Sequence, residues 1–175
     1  MCDMVNTVAT SEFLRDCLAD AVMKLLEQWP LEKIQVKQIC DVSGYHRASW
    51  FRAFRSKNEA VTYHMVRLWQ LYCERHGING HDDWVLDNAE AFFEYNYEIR
   101  ETTRLLCRRG LMKELEDSFT ATLHDRHIPD PVRAYHTAMF AFALYGILRE
   151  WIIRDFDQTP AEMAQIVREA TALMA

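Results

Sequence analysis

The stretch "DVSGYHRASWFRAFRSK", residues 41–57, packs one glycine, a His-Arg pair, adjacent aromatics and three further cations into seventeen positions. Ser43-Gly44 closes a short helix whose inward positions are Val36, Ile39 and Cys40. A second short helix covers His46 to Ala53. Two short helices joined by a tight glycine turn, the second rich in cations, read as a helix-turn-helix. Trp50 and Phe54 stand four apart and form the packed rear of the second helix, which leaves His46, Arg47, Ser49 and Arg52 to face outward. A helix of that kind enters a major groove by its N-terminal end and offers donors to base edges.

Charge supports the same reading once its distribution is considered. The chain carries a net charge of −6, which by itself opposes nucleic acid. Between Lys33 and Lys57, however, six basic residues (Lys33, Lys37, Arg47, Arg52, Arg55, Lys57) face Asp41 alone. The acidic excess lies later, in Glu90–Glu101 and Glu114–Asp130. A basic patch on an acidic body is a directional field that draws phosphate to one end.

Outward from this stretch the chain predicts helix after helix. From Ser11 to Gln28 the residues Leu14, Leu18, Ala21, Val22, Leu25 and Leu26 mark one helical face, and Trp29-Pro30 ends it. Ser56 and Glu59 form a capping box that opens a helix to about His76. "HGINGHDD", residues 76–83, is the clearest break. A helix through Phe92, Phe93 and Tyr97 follows, interrupted near Glu101-Thr102, with more helix on both sides of Gly110 to about His124. Asp130 caps a helix with Pro131 at its first position, running to about Arg154. Thr159, Pro160 and Glu162 repeat the device and open a last helix to Met174. The expectation is an all-α protein of about nine helices. An N-terminal three-helix domain takes residues 1–56, and a helical dimerisation and regulatory domain takes residues 57–175.

The 131–154 helix is apolar almost all round, so it is buried on more than one side. In a chain of 175 residues the simplest arrangement puts one side on its own core and another on a second subunit. Tyr145, Gly146, Leu148, Trp151 and Ile152, with Met163 and Ile166 from the last helix, are the expected contacts of a four-helix homodimer interface. Trp69, Tyr72, Phe92, Phe93, Tyr97, Phe119, Tyr135 and Phe140 are candidate liners of an apolar pocket for a small-molecule effector.

Half the residues are apolar and 26% charged, an ordinary globular composition. No apolar run approaches the roughly 20 residues of a membrane span, and the first residues lack a signal pattern, so the expected location is cytoplasmic, with no membrane partner. The five cysteines, Cys2, Cys17, Cys40, Cys73 and Cys107, contain no Cys-x-x-Cys and read as buried free thiols. An enzyme or metal protein would have to use Cys73 and His76 with His81, or His124, His127 and His136. Neither set has the spacing of a zinc motif, and phosphate loop and nucleophile elbow are absent, so no cofactor and no enzyme activity are expected.

The segment "KIQVKQICDVSGYHRASWFRAFRSKNEAV", residues 33–61, resembles the DNA-binding domain of the TetR family of transcriptional regulators, with Ile39, Gly44, Phe54, Ser56, Lys57 and Glu59 in register. The resemblance covers about residues 11–65. It implies a homodimer on palindromic double-stranded operator DNA, with a C-terminal domain that often holds an inducer pocket. By position, the resemblance gives Lys37 a contact to phosphate or a base, Lys57 a phosphate contact, and Arg47, Ala48 and Ser49 the base-reading turn. Phe51 stands where the family usually has a phosphate-binding tyrosine, and Ala53 where it often has histidine. The second helix also starts at Gln35-Val36 without a good cap, and Arg52 and Arg55 are the expected compensation. "AFALYGILREWIIRDFDQTPAEMAQIV", residues 141–167, is similar to a small TetR subgroup that includes the activator of dihydroxyacetone-kinase operons. That similarity implies an alternative to a repressor released by an apolar or aromatic effector, namely an activator controlled by a protein partner.

Overall fold

The computed structural model describes residues 2–78, 89–123 and 129–172. Among them the chain is all helix: α1 Cys2–Leu26, a 3-10 turn Leu31–Lys33, α2 Val36–Ser43, α3 Arg47–Ala53, α4 Lys57–His76, α5 Ala89–Glu98, α6 Arg100–Arg108, α7 Met112–Leu123, α8 Pro131–Ile153 and α9 Pro160–Ala172. These nine helices agree with the expected number and class. His81, His124, His127, Met174 and most of the 76–83 break lie outside the described residues.

Local chemistry sets most of the ends. Gly44 closes α2 at φ 75°, a left-handed conformation that side-chain-bearing residues rarely adopt. At the start of α2, the Gln35 N–H donates to Gln38 Oε1 at 2.7 Å, so the helix is capped after all, by a glutamine reaching back. The Ser56 hydroxyl accepts from the Glu59 N–H at 3.0 Å, while the Glu59 carboxylate accepts from the Arg55 N–H at 2.7 Å. Asp130 accepts from the Val132 N–H at 3.1 Å, and Glu162 accepts from the Thr159 N–H at 2.7 Å.

The expected interruption at Glu101-Thr102 falls instead at Ile99, whose φ of −91° and ψ of 12° separate α5 from α6. No glycine or proline marks the kink, so the local sequence carries no sign of it. The thiols also differ from expectation. Cys17, Cys40 and Cys73 are half-buried and Cys107 is exposed, all four unpaired. The helical period puts them beside the core stripe rather than in its centre.

One hydrophobic core runs through the molecule. At the N-terminal end it is built from Leu18, Val22 and Leu26 of α1, Ile39 of α2, Trp50 and Phe54 of α3, and Ala60 and Val61 of α4. It continues through Phe92, Phe93, Leu106 and Leu115 to Leu144, Leu148 and Trp151 of α8 and Val167 of α9. Helix α4 packs on α1 and also on α7, and α5 packs on α9.

Polar bonds tie the two ends together. Asp16 of α1 accepts from the Tyr63 hydroxyl at 2.8 Å and from Arg67 Nε at 3.3 Å. Arg109, between α6 and α7, donates to the Leu26 carbonyl at 2.7 Å and the Glu27 carbonyl at 2.9 Å. Those carbonyls end α1 and have no partner within the helix. Asn58 donates to Glu114 Oε1 at 2.5 Å.

Between α8 and α9 the chain turns through two consecutive non-glycine residues in the left-handed region, Asp155 (φ 57°) and Phe156 (φ 60°). Arg104 donates to Asp155 Oδ1 at 2.8 Å, and Phe156 packs on Trp151 with ring centroids 4.9 Å apart.

Replacing Arg109 by methionine keeps most of the stem volume and removes both bonds to α1. Equilibrium urea unfolding should show a loss of about 1–3 kcal/mol.

Candidate nucleic-acid interface and C-terminal cleft

Helix α3 is seven residues long and lies on α2 and α1. Trp50 and Phe54 form its rear, each 2% exposed with ring centroids 5.4 Å apart. His46, Arg47, Ala48, Phe51 and Arg52 face solvent, as does Lys37 of α2. Phe51 is 59% exposed, and the Arg47 guanidinium sits 5.4 Å from its ring centroid. Among the described residues the side chains of Lys37, Arg47, Arg52 and Arg55 make no ion pair, although the Glu59 carboxylate lies against the Arg55 backbone N–H.

Two members of the expected set are placed differently. Ser49 is 8% exposed and lies on the packed side. With 3.6 residues per turn, the arc that buries Trp50, Ala53 and Phe54 also takes in Ser49, so the outward turn is Arg47, Ala48 and Phe51 without it. Lys57 is spent internally. Its ammonium donates to the carbonyls of Leu31 at 2.5 Å and Ile34 at 2.8 Å, with Glu32 at 3.4 Å. It thus holds the 3-10 turn on the start of α4, a role no local pattern announces because its partners are backbone atoms more than twenty positions away.

The aromatic candidates divide into three groups. Trp69, Phe92 and Phe119 line a cleft between α4, α5 and α7, together with Asn96, Ser118 and Thr122. Tyr72, 1% exposed, stacks on Trp69 at 5.8 Å and on His76 at 4.1 Å, and Phe93, fully buried, packs on Trp151 at 5.6 Å. Tyr97 stacks on the far side of Trp151 at 6.1 Å, Phe140 is half-buried on α8, and Tyr135 is 78% exposed. The first group meets at a cavity.

The expected interface set divides as well. Leu148, Trp151, Ile152 and Met163 are buried in the chain's own core. Gly146 and Ile166 are exposed and Tyr145 half-buried, its hydroxyl donating to the Met112 carbonyl at 3.3 Å. The open apolar side of α8 is a different stripe: Val132, Tyr135, Met139, Phe142 and Ile153, with Gly146 among them. An all-round apolar sequence cannot say which side is inward, and burial within the chain is what separates the two stripes.

Cys73 and His76 do not form a reactive pair. Burial pushes the Cys73 thiol up to about 11, so little thiolate exists near neutral pH. The His76 ring stacks on Tyr72 instead. Among the described residues no group of three or more His, Cys, Asp or Glu gathers to hold a metal, and no helix is long and apolar enough to cross a membrane.

These placements separate Lys57 from Arg47. Lys57→Met leaves the Ile34 carbonyl without its donor and the Leu31 carbonyl with the Ile34 N–H alone, and should lower the unfolding free energy by about 1–3 kcal/mol. Arg47→Met leaves no such debt and should change it by less than about 0.5 kcal/mol in the same urea titration.

Comparison with known families extends the resemblance beyond the helix-turn-helix. A TetR-type family model, described as a transcriptional regulator C-terminal region, matches residues 88–172. That span runs from the residue before α5 to the end of α9 and takes in the cleft-lining half of α5 and α7 and the open stripe of α8. No curated protein matches the chain. With a helix-turn-helix fold in front of it, this C-terminal match supports a TetR-family transcriptional regulator.

Proposed function

We propose that the protein is a homodimeric regulator that binds palindromic operator DNA through α2 and α3 and responds to a small apolar or aromatic effector held in its C-terminal half. The outward face of α3 carries this reading. Arg47, Phe51 and Arg52, with Lys37 and Arg55 beside them, form a cationic face whose side chains make no ion pair among the described residues, on a protein of net charge −6. Phosphate is the partner such a face lacks. Arg47 at the first turn reaches base edges, Phe51 meets a thymine methyl or a sugar, and Arg52 and Arg55 hold backbone phosphate.

The stripe on α8 supplies the second subunit. Val132, Tyr135, Met139 and Phe142 recur at steps of three and four and are all more than half exposed. Ile166 of α9 adds to them at 43%. A two-fold axis through this face pairs each stripe with its own copy, and Gly146 lets the backbones approach. Two recognition helices then face the same side of the duplex, which matches a palindrome. In the repressor mode, effector binding changes the spacing of those helices and lowers operator affinity.

Selection from a random DNA pool tests the reading. Wild-type protein should enrich a palindrome, and Arg47→Ala should lose or alter it. Arg52→Ala should weaken all sequences about equally and reduce the slope of log affinity against log salt by about 1. Met139→Asp should sediment as a monomer and enrich no palindrome. Binding without sequence preference by wild-type protein would remove the operator from this account.

A further inference from the structure

Resting on the proposed reading of operator DNA by α3, we infer that each half-site carries a guanine flanked by a C5-methylated pyrimidine, recognised jointly by Arg47 and Phe51. The first turns of α3 present Arg47, Ala48 and Phe51 outward, while Ser49 and Trp50 are turned in. Of those three outward side chains Arg47 alone forms hydrogen bonds, and it only donates. Its guanidinium fork matches the two acceptors on the major-groove edge of guanine, O6 and N7. It has no acceptor to offer the amino groups of adenine or cytosine.

Phe51 supplies the other half of the recognition. Its ring is 59% exposed, and a phenyl ring has no polar atom with which to hold phosphate. In a major groove it leaves water by meeting the apolar group that projects there, the C5 methyl of thymine. A 5-methylcytosine carries the same methyl at the same place. Ala48 is exposed beside them and adds a methyl without bulk, so the helix can approach the base edges closely.

Distance joins the two contacts. The Arg47 guanidinium carbon lies 5.4 Å from the Phe51 ring centroid, and neighbouring base pairs are about 3.4 Å apart along the duplex. Side chains this close reach adjacent pairs, so the guanine and the methylated pyrimidine are neighbours. The ring also acts on the cation, because a guanidinium within about 6 Å of an aromatic centroid is attracted to it. Arg47 thus meets the groove with part of its rotamer freedom already lost, and less remains to be lost on binding. Preference for guanine therefore depends on Phe51 as well as on Arg47.

The test starts from the duplexes that the full chain enriches from a random pool. A thymine beside a guanine should recur at the same place in both half-sites. In fluorescence anisotropy, uracil in place of that thymine should weaken binding about fourfold per half-site, the effect of one buried methyl. With a cytosine–guanine pair there instead, C5 methylation of the cytosine should strengthen binding by about the same factor. Phe51→Ala should bind thymine and uracil duplexes alike and prefer guanine less, and Arg47→Ala should lose the guanine preference. Both side chains are exposed, so both variants should unfold at the wild-type urea midpoint. A palindrome without the step, or equal wild-type affinity for thymine and uracil duplexes, overturns the inference and leaves the operator reading standing. So does a cytosine duplex indifferent to methylation, which assigns the thymine preference to O4 instead of the methyl. Phe51→Ala protein that still separates thymine from uracil overturns the role of the ring. Failure of wild-type protein to enrich any sequence removes the operator, and this step with it.

Discussion

The ring of Phe54 sits where three helices meet, and much of the molecule depends on it. It packs on Trp50 within α3 and edge to face on Tyr63 of α4 at 5.5 Å. The Arg15 guanidinium of α1 lies 5.0 Å from its centroid and 4.1 Å from that of Tyr63. Burying an aromatic ring of this size contributes about 3–5 kcal/mol, judged by the cost of removing one. Its geometric effect matters more. It fixes a seven-residue helix, too short to be stable alone, at a set angle to a twenty-residue one. The cations on the outer face of α3 have a defined direction only because its inner face is locked.

Helix α4 carries that order across the chain. One side belongs to the bundle under α3, through the Asp16–Tyr63–Arg67 bonds, and the other forms a wall of the cleft through Met65 and Trp69. Arg109 and the Asn58–Glu114 bond join the same two regions by a second route, from the start of α7 to the ends of α1 and α4. A change that moves α7 is therefore felt at the base of α4 and at the last turn of α1. Two discrete arrangements of such a pair of helices are what coupling between distant sites requires.

Most of the fold was legible in the sequence because its signals are local. Gly44, Ser56 with Glu59, Asp130-Pro131 and Thr159-Pro160 each mark an end through atoms a few positions apart, and the structure has them within a residue or two. The kink at Ile99 left no trace, since no helix-breaking residue stands there. On the candidate interface, the exposure of His46, Arg47, Ala48, Phe51 and Arg52 and the burial of Trp50 followed from helical period, while Ser49 sits at the edge of the buried arc. The carbonyl contacts of Lys57 left no local sign, because a lysine at the first position of a helix looks the same whether it serves phosphate or distant carbonyls. The C-terminal half was least legible. Where apolar residues cover every side of α8, periodicity carries no direction, and only the neighbours decide that Trp151 turns in and Met139 out.

The corner at Asp155 and Phe156 has a consequence for how the chain opens. Two consecutive side-chain-bearing residues held at positive φ store roughly 1–2 kcal/mol each. That strain is compensated by the Arg104–Asp155 bond, by the seating of Phe156 under Trp151, and by the docking of α9 on α5. If α9 lifts away, the corner relaxes, and part of the lost contact energy is returned at once. The last helix is thus the natural unit of partial unfolding, with an opening free energy below that of the bundle around Phe54. In hydrogen exchange its amides should form a cooperative group that trades protons ahead of the core. The chain is built with one firm end and one that can let go.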